Sequence, residues 1–164
     1  MELPEITVSL LKDIPYFITG SRRFGTSHDL SDLDICISIV SAAVVKFKLN
    51  VLSKNLTPSA YNNGFKFEDG GLIINIIPLH PADYVSWFHA AIMMESMPNL
   101  KNLLRQQIHG YYQMLCSMVK LAYGDVIINT ENMLTLCGLE LPEENNKQDG
   151  EPEENNKQDG DLPF

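Results

Sequence analysis

The chain has 164 residues, of which 45% are hydrophobic and 20% charged, and a net charge of −9. That length supports one domain with its own core. Residues 141–164 hold eight acids against two lysines, −6, which leaves −3 for the remainder, and a near-neutral body with a polyanionic tail excludes a general binder of the nucleic-acid backbone, which needs a basic face.

In chain order, Met1-Glu2-Leu3-Pro4-Glu5 lacks the basic start of a signal peptide, and the apolar stretches are too short to span a membrane, so a cytoplasmic protein is expected. Residues 6–12 read as a helical or irregular lead-in. Tyr16–Thr19 is a short β-type run stopped by Gly20, and Ser21–Thr26 suits a helical turn. Leu33–Val40 reads as a strand with Asp32 and Asp34 at its start. Val44, Phe47, Val51 and Leu52 recur at helical spacing and predict a helix over 41–54. Pro58–Tyr61 and Phe65–Glu68 flank the turn signal Asn62-Asn63-Gly64, and Leu72–Leu79 is a β-rich run buried on both faces. Beyond it the period becomes helical: Pro81–Met97, a long helix over Leu100–Tyr123, and a short final helix over Asp125–Leu139. Strands and a helix followed by helices predict an α/β (α+β) domain of two packed layers over residues 1–139. The cysteines Cys36, Cys116 and Cys137 lie in apolar segments without metal-ligand spacing and read as small buried hydrophobes.

From Glu140 the pattern dissolves. The sequence Pro-Glu-Glu-Asn-Asn-Lys-Gln-Asp-Gly occurs at 142–150 and again at 152–160, with no apolar residue in either copy. Such a segment cannot bury enough surface to offset its ordering entropy, so 140–160 is expected to be a disordered acidic linker. It leads to Asp161-Leu162-Pro163-Phe164.

The chemistry-bearing pattern is Thr19-Gly20-Ser21-Arg22-Arg23-Phe24-Gly25 followed by Ser31-Asp32-Leu33-Asp34-Ile35. Residues two apart on a strand point to one side, so Asp32 and Asp34 project together with Leu33 behind them. Paired carboxylates repel unless a cation lies between them, and Mg²⁺ favours such oxygen ligands while leaving room for phosphate oxygens. Gly20 lets backbone approach a phosphate closely, and Ser21 offers a hydroxyl and an N–H. Arg22 and Arg23 are candidates to neutralise charge on a triphosphate, and Ser31 is a further candidate beside the carboxylates. Arg105 and His109, four apart on the long helix, read as a surface face. Trp87 and Tyr112 read as core.

Gly20-Ser21, ten residues, then Asp32-Leu33-Asp34 resembles the signature of the DNA polymerase β-like nucleotidyltransferase superfamily. It looks most like the small bacterial and phage-encoded members, including the minimal nucleotidyltransferase antitoxins. The resemblance implies a mixed sheet with packed helices, an NTP substrate, one or two Mg²⁺ ions on Asp32 and Asp34, and phosphate contacts from Gly20 and Ser21. It also implies a third carboxylate on a later adjacent strand. By position that strand is Leu72–Leu79, and the residue there is Asn75, an amide without charge. Glu68 and Asp69 precede the strand as candidate replacements and read first as a solvated turn.

The tip Asp159-Gly160-Asp161-Leu162-Pro163-Phe164 resembles the extreme C-terminus of bacterial single-stranded DNA-binding proteins, with Gly160 interrupting the acids. That resemblance implies a docking peptide, with Asp161, Leu162, Pro163 and Phe164 contacting host replication and repair proteins, and a phage or mobile-element origin in the host cytoplasm. Two functions follow as expectations: a Mg²⁺-dependent nucleotidyltransferase, or a catalytically degenerate adaptor or inhibitor acting through the tip.

Overall fold

A computed structural model describes residues 2–139 of the chain; the expected linker over 140–160 and the tip at 161–164 lie outside the described residues. The architecture is mixed α/β, as expected. Helix α1 (Glu5–Leu11) leads into β1 (Tyr16–Thr19), the single turn α2 (Gly20–Arg23) and β2 (Leu33–Ser38). Next come α3 (Ala42–Val51), β3 (Thr57–Pro58), β4 (Phe65–Asp69) and β5 (Leu72–Leu79). The remainder is helical: α4 (Pro81–Glu95), α5 (Arg105–Tyr123) and α6 (Thr130–Leu136). Among the described residues no helix is long and apolar enough to cross a membrane.

The five strands form one sheet in the order β1-β2-β5-β4-β3, in which β2 and β5 run parallel and the other pairs antiparallel. The central strands β2 and β5 are apolar on both sides because helices cover both faces. On one face Leu33, Ile35, Ile37, Ile74, Ile76, Phe65 and Phe67 pack on Leu10 and Leu11 of α1 and on Ala42, Val45 and Leu49 of α3. On the other, Phe17, Cys36, Ile77 and Leu79 meet Tyr84 and Val85 of α4 and Met133 and Leu134 of α6. A third cluster joins Phe24 and the α4 residues Ala90, Ala91 and Met94 to Ile108, Tyr112 and Leu115 of α5. All three cysteines are buried and unpaired.

The structure refines several boundaries. The strand predicted over Pro58–Tyr61 is instead the two-residue Thr57–Pro58, and Tyr61 moves into the turn. The apolar residues that announced α3 are its solvent face: Val44, Phe47 and Val51 are 50%, 68% and 68% exposed, while Ala42, Val45 and Leu49 are the buried stripe. The helix predicted over 100–123 is broken. A 3₁₀ turn at Leu100–Asn102 is followed by extended Leu103 and Leu104, and α5 starts at Arg105. The Leu104 N–H, left without an intrahelical acceptor, donates to Gln107 Oε1 at 2.8 Å.

Asp69 is not a solvated turn residue. It is 4% exposed, and its Oδ2 accepts from the Thr7 N–H at 2.7 Å and from Thr7 Oγ1 at 2.8 Å. It anchors α1 on the sheet face opposite Asp34, so it does not stand in for a third carboxylate. Glu68 is exposed.

Candidate functional site

Strand register assembles the site. Thr19 pairs with Asp34, Asp34 with Asn75, Asn75 with Lys66, and Lys66 with Thr57. One polar row therefore crosses all five strands on the face that carries α4. Asp32, two residues before Asp34, joins the row from the start of β2. Leu33 between them is fully buried in the opposite core, which fixes the direction of both acids.

Each carboxylate has a partner from another strand, Asp34 from adjacent β5 and Asp32 from β4 beyond it. Asn75 Nδ2 donates to Asp34 Oδ1 at 2.7 Å, and Lys66 Nζ reaches past Asn75 to Asp32 Oδ2 at 2.6 Å. Asn75 is 3% exposed, and its Oδ1 has no hydrogen-bond partner among the described residues. Burial pushes the Asp34 carboxyl above the ordinary carboxylate range, with Asp32 adding to the push, while the Asn75 hydrogen bond, Lys66 and Arg105 oppose it.

Gly20 closes the site from β1. Its φ is +73°, and a β-carbon there would stand 2.1 Å from Asp34 Oδ2. Only glycine both adopts this backbone and leaves the carboxylate its place. Ser21 follows on the turn and lines two adjoining cavities, of about 360 and 270 Å³. Asp34, Ser31, Tyr61 and Arg105 line both; Asp32, Lys66 and Asn75 line the smaller. The larger is within the size range of small-ligand sites. Its wall is aromatic: Tyr61 stands edge-on to Trp87 at 5.6 Å, and Trp87 edge-on to Tyr112 at 5.7 Å. Tyr112 is held in place because its hydroxyl donates to the Trp87 carbonyl at 3.0 Å and accepts from Thr19 Oγ1 at 3.1 Å.

Of the candidate residues, Gly20, Ser21, Ser31, Asp32, Asp34 and Asn75 converge. Arg22 and Arg23 line neither cavity. Arg22 Nε donates to the Ser31 carbonyl at 2.7 Å and pins the 24–31 loop over the site. Arg23 donates to the Ile18 carbonyl at 2.8 Å and pairs with Glu95 at 2.9 Å. The cations that line the site are Lys66, Arg105 and, in the larger cavity, Lys101. Sequence reasoning passed over Lys66, whose signal was a single cation in the alternation Phe65-Lys66-Phe67. It left Arg105 on a solvent face of a helix read as uninterrupted from Leu100.

The residues fit a divalent cation. Two carboxylates point the same way, an amide oxygen that is buried and unpartnered among the described residues stands beside them, and glycine spares Asp34 Oδ2 the clash that a β-carbon would bring. Among the described residues no group of three His, Cys, Asp or Glu side chains gathers; Asn75 occupies the third place. No protein-family model, curated protein or solved structure matches this chain.

Proposed function

We propose that the chain is a Mg²⁺-dependent nucleotidyltransferase, moving a nucleoside monophosphate from an NTP to a hydroxyl acceptor. The observation that carries this reading is the conjunction of Gly20 and Asp34: a left-handed glycine held against a carboxylate that burial makes costly to ionise. A buried acid of this kind, beside a second acid and an open cavity, is better explained by a ligand than by stability.

Asp32 and Asp34 would hold the metal, which when bound neutralises phosphate oxygens and favours in-line displacement. Ser21 and the Gly20 backbone face the phosphates. Arg105 and Lys101 supply charge for the triphosphate. Tyr61, 37% exposed, offers a ring for the base. The acceptor oxygen forms a bond to the α-phosphorus as the α–β bridging P–O bond breaks; pyrophosphate leaves, and the hydroxyl proton passes to solvent. The test is incubation with α-labelled NTPs, Mg²⁺ and protein, tRNA and DNA acceptors. Incorporation lost in Asp32→Ala and Asp34→Ala supports the reading. No incorporation with any acceptor contradicts transfer.

A second reading has its own observation. Lys66 neutralises Asp32, and Asn75 brings no charge, an arrangement that also suits a catalytically degenerate adaptor or inhibitor acting through Asp161–Phe164 on host proteins that bind such tips. Capture of replication proteins that is lost on deleting Phe164, without nucleotide transfer, would favour it.

A further inference from the structure

We propose that Lys66 takes the place of one of the two divalent cations of a two-metal site, so that this chain binds its nucleotide with a single metal ion. The inference rests on the nucleotide reading above.

Asp32 and Asp34 are the only acids that line the two cavities among the described residues. The position beside Asp34 on the next strand is filled by Asn75, whose Nδ2 donates a hydrogen bond to Asp34 Oδ1 instead of sharing a cation with it. One strand further, Lys66 lies in register with Asn75 and sets its ammonium 2.6 Å from Asp32 Oδ2. The row across the sheet is thus carboxylate, amide, ammonium. A cation bound between Asp32 and the Asn75 position would meet the Lys66 charge there and find one carboxylate fewer, and like charges this close repel strongly in a half-buried site.

The Asp34 side is different. Asp34 Oδ2 packs against Gly20, and among the described residues no ammonium forms a salt bridge with Asp34. The negative charge that remains suits one divalent ion, with Asp32 and Asp34 as its ligands. Lys66 is 29% exposed at its side chain, so it reaches the cavity without being free in solvent. In this arrangement Lys66 supplies positive charge at a fixed position, as a metal would, but it brings no ordered water ligands.

The test is titration of the full chain with Mn²⁺ in place of Mg²⁺, with and without a non-hydrolysable NTP analogue, read by electron paramagnetic resonance. The wild type is expected to bind one Mn²⁺ per chain with nucleotide, with no spin coupling. Lys66→Arg should keep one. The double variant Lys66→Ala/Asn75→Asp should bind two, with the broadened spectrum of a coupled pair. Two coupled ions in the wild type would overturn the proposal while leaving the nucleotide reading intact. A folded double variant that still binds one ion would also overturn it. A folded wild type that binds neither Mn²⁺ nor nucleotide would remove the nucleotide reading and this inference with it.

Discussion

The backbone of Gly20 and the carboxylate of Asp34 occupy adjoining space with no room for a β-carbon: one built on Gly20 falls 2.1 Å from Asp34 Oδ2 and 3.0 Å from its Cγ. The two residues are tied through sheet register, since Thr19, which precedes the glycine, pairs with Asp34 across β1 and β2. A turn and the strand that follows it thereby present one oxygen and one stretch of bare backbone to the same cavity.

Gly20→Ala is therefore expected to cost about 1–3 kcal/mol, from the left-handed backbone and the clash together. Removing the Asp34 side chain beyond Cβ relieves most of the clash, although that Cβ still lies 3.3 Å from the added methyl. In a double-mutant cycle by denaturant unfolding, Gly20→Ala/Asp34→Ala should be more stable than the sum of the single effects by roughly 1 kcal/mol. Strict additivity would show that the two residues do not share that space.

The raised Asp34 pKa has a signed consequence for stability. Between the ordinary value of 3.8 and the higher folded value, the folded chain holds a proton that the unfolded chain has released. The fold gains from this group at low pH and loses that gain as pH rises through the window. Asp34→Asn removes the group, and its amide can pair with the Asn75 Oδ1, which has no partner among the described residues. Its midpoint of thermal unfolding should exceed that of the wild type at about pH 7 and converge on it near about pH 4. A wild type more stable than the variant at neutral pH, without metal, would contradict the shift.

Asp69 provides a control distant from the chemistry. Asp69→Ala strands two buried donors of Thr7 and should destabilise the protein by about 1–3 kcal/mol. Affinity for Mg²⁺ and nucleotide, measured well below the unfolding midpoint, should stay within a factor of about two, because Asp69 faces the α1 side of the sheet.

Tyr61 is the exposed ring of the aromatic wall. Loss of a stacked base is worth roughly 1–3 kcal/mol, so Tyr61→Ala should weaken NTP binding roughly 5- to 150-fold and Tyr61→Phe only slightly. Fluorescence titration with a labelled NTP analogue distinguishes these. Equal affinity in the wild type and Tyr61→Ala would place the base elsewhere.

Much of the fold was legible because it rests on local signals. The apolar alternation of Leu33–Ser38 and the run Leu72–Leu79 mark strands, Gly20 stops β1, and Pro81 opens α4 at its first position. The grouping of Gly20, Ser21, Asp32 and Asp34 followed from spacing plus the two-residue strand period, and Asn75 from the expectation of an adjacent strand. What stayed hidden depends on tertiary pairing. Lys66 joins Asp32 only because β4 lies beside β5, and Arg105 enters the cavity only because the chain straightens at Leu103 and Leu104. The arginines 22 and 23 looked like phosphate ligands in sequence, yet backbone carbonyls and Glu95 engage them, a fate that spacing cannot reveal. The face of α3 was unreadable for a related reason: Val44, Phe47 and Val51 are as apolar as Val45 and Leu49, and only the sheet decides which stripe is covered.

Isothermal titration calorimetry with a non-hydrolysable NTP analogue, with and without Mg²⁺, examines the Asp32–Asp34 site itself. The expected result is saturable binding at one nucleotide per chain that requires Mg²⁺, is lost in Asp34→Ala and is weakened at least about tenfold in Asp32→Ala. Binding of equal strength in the two variants, or no binding by the folded wild type at millimolar nucleotide and Mg²⁺, would contradict a metal-nucleotide site between these carboxylates.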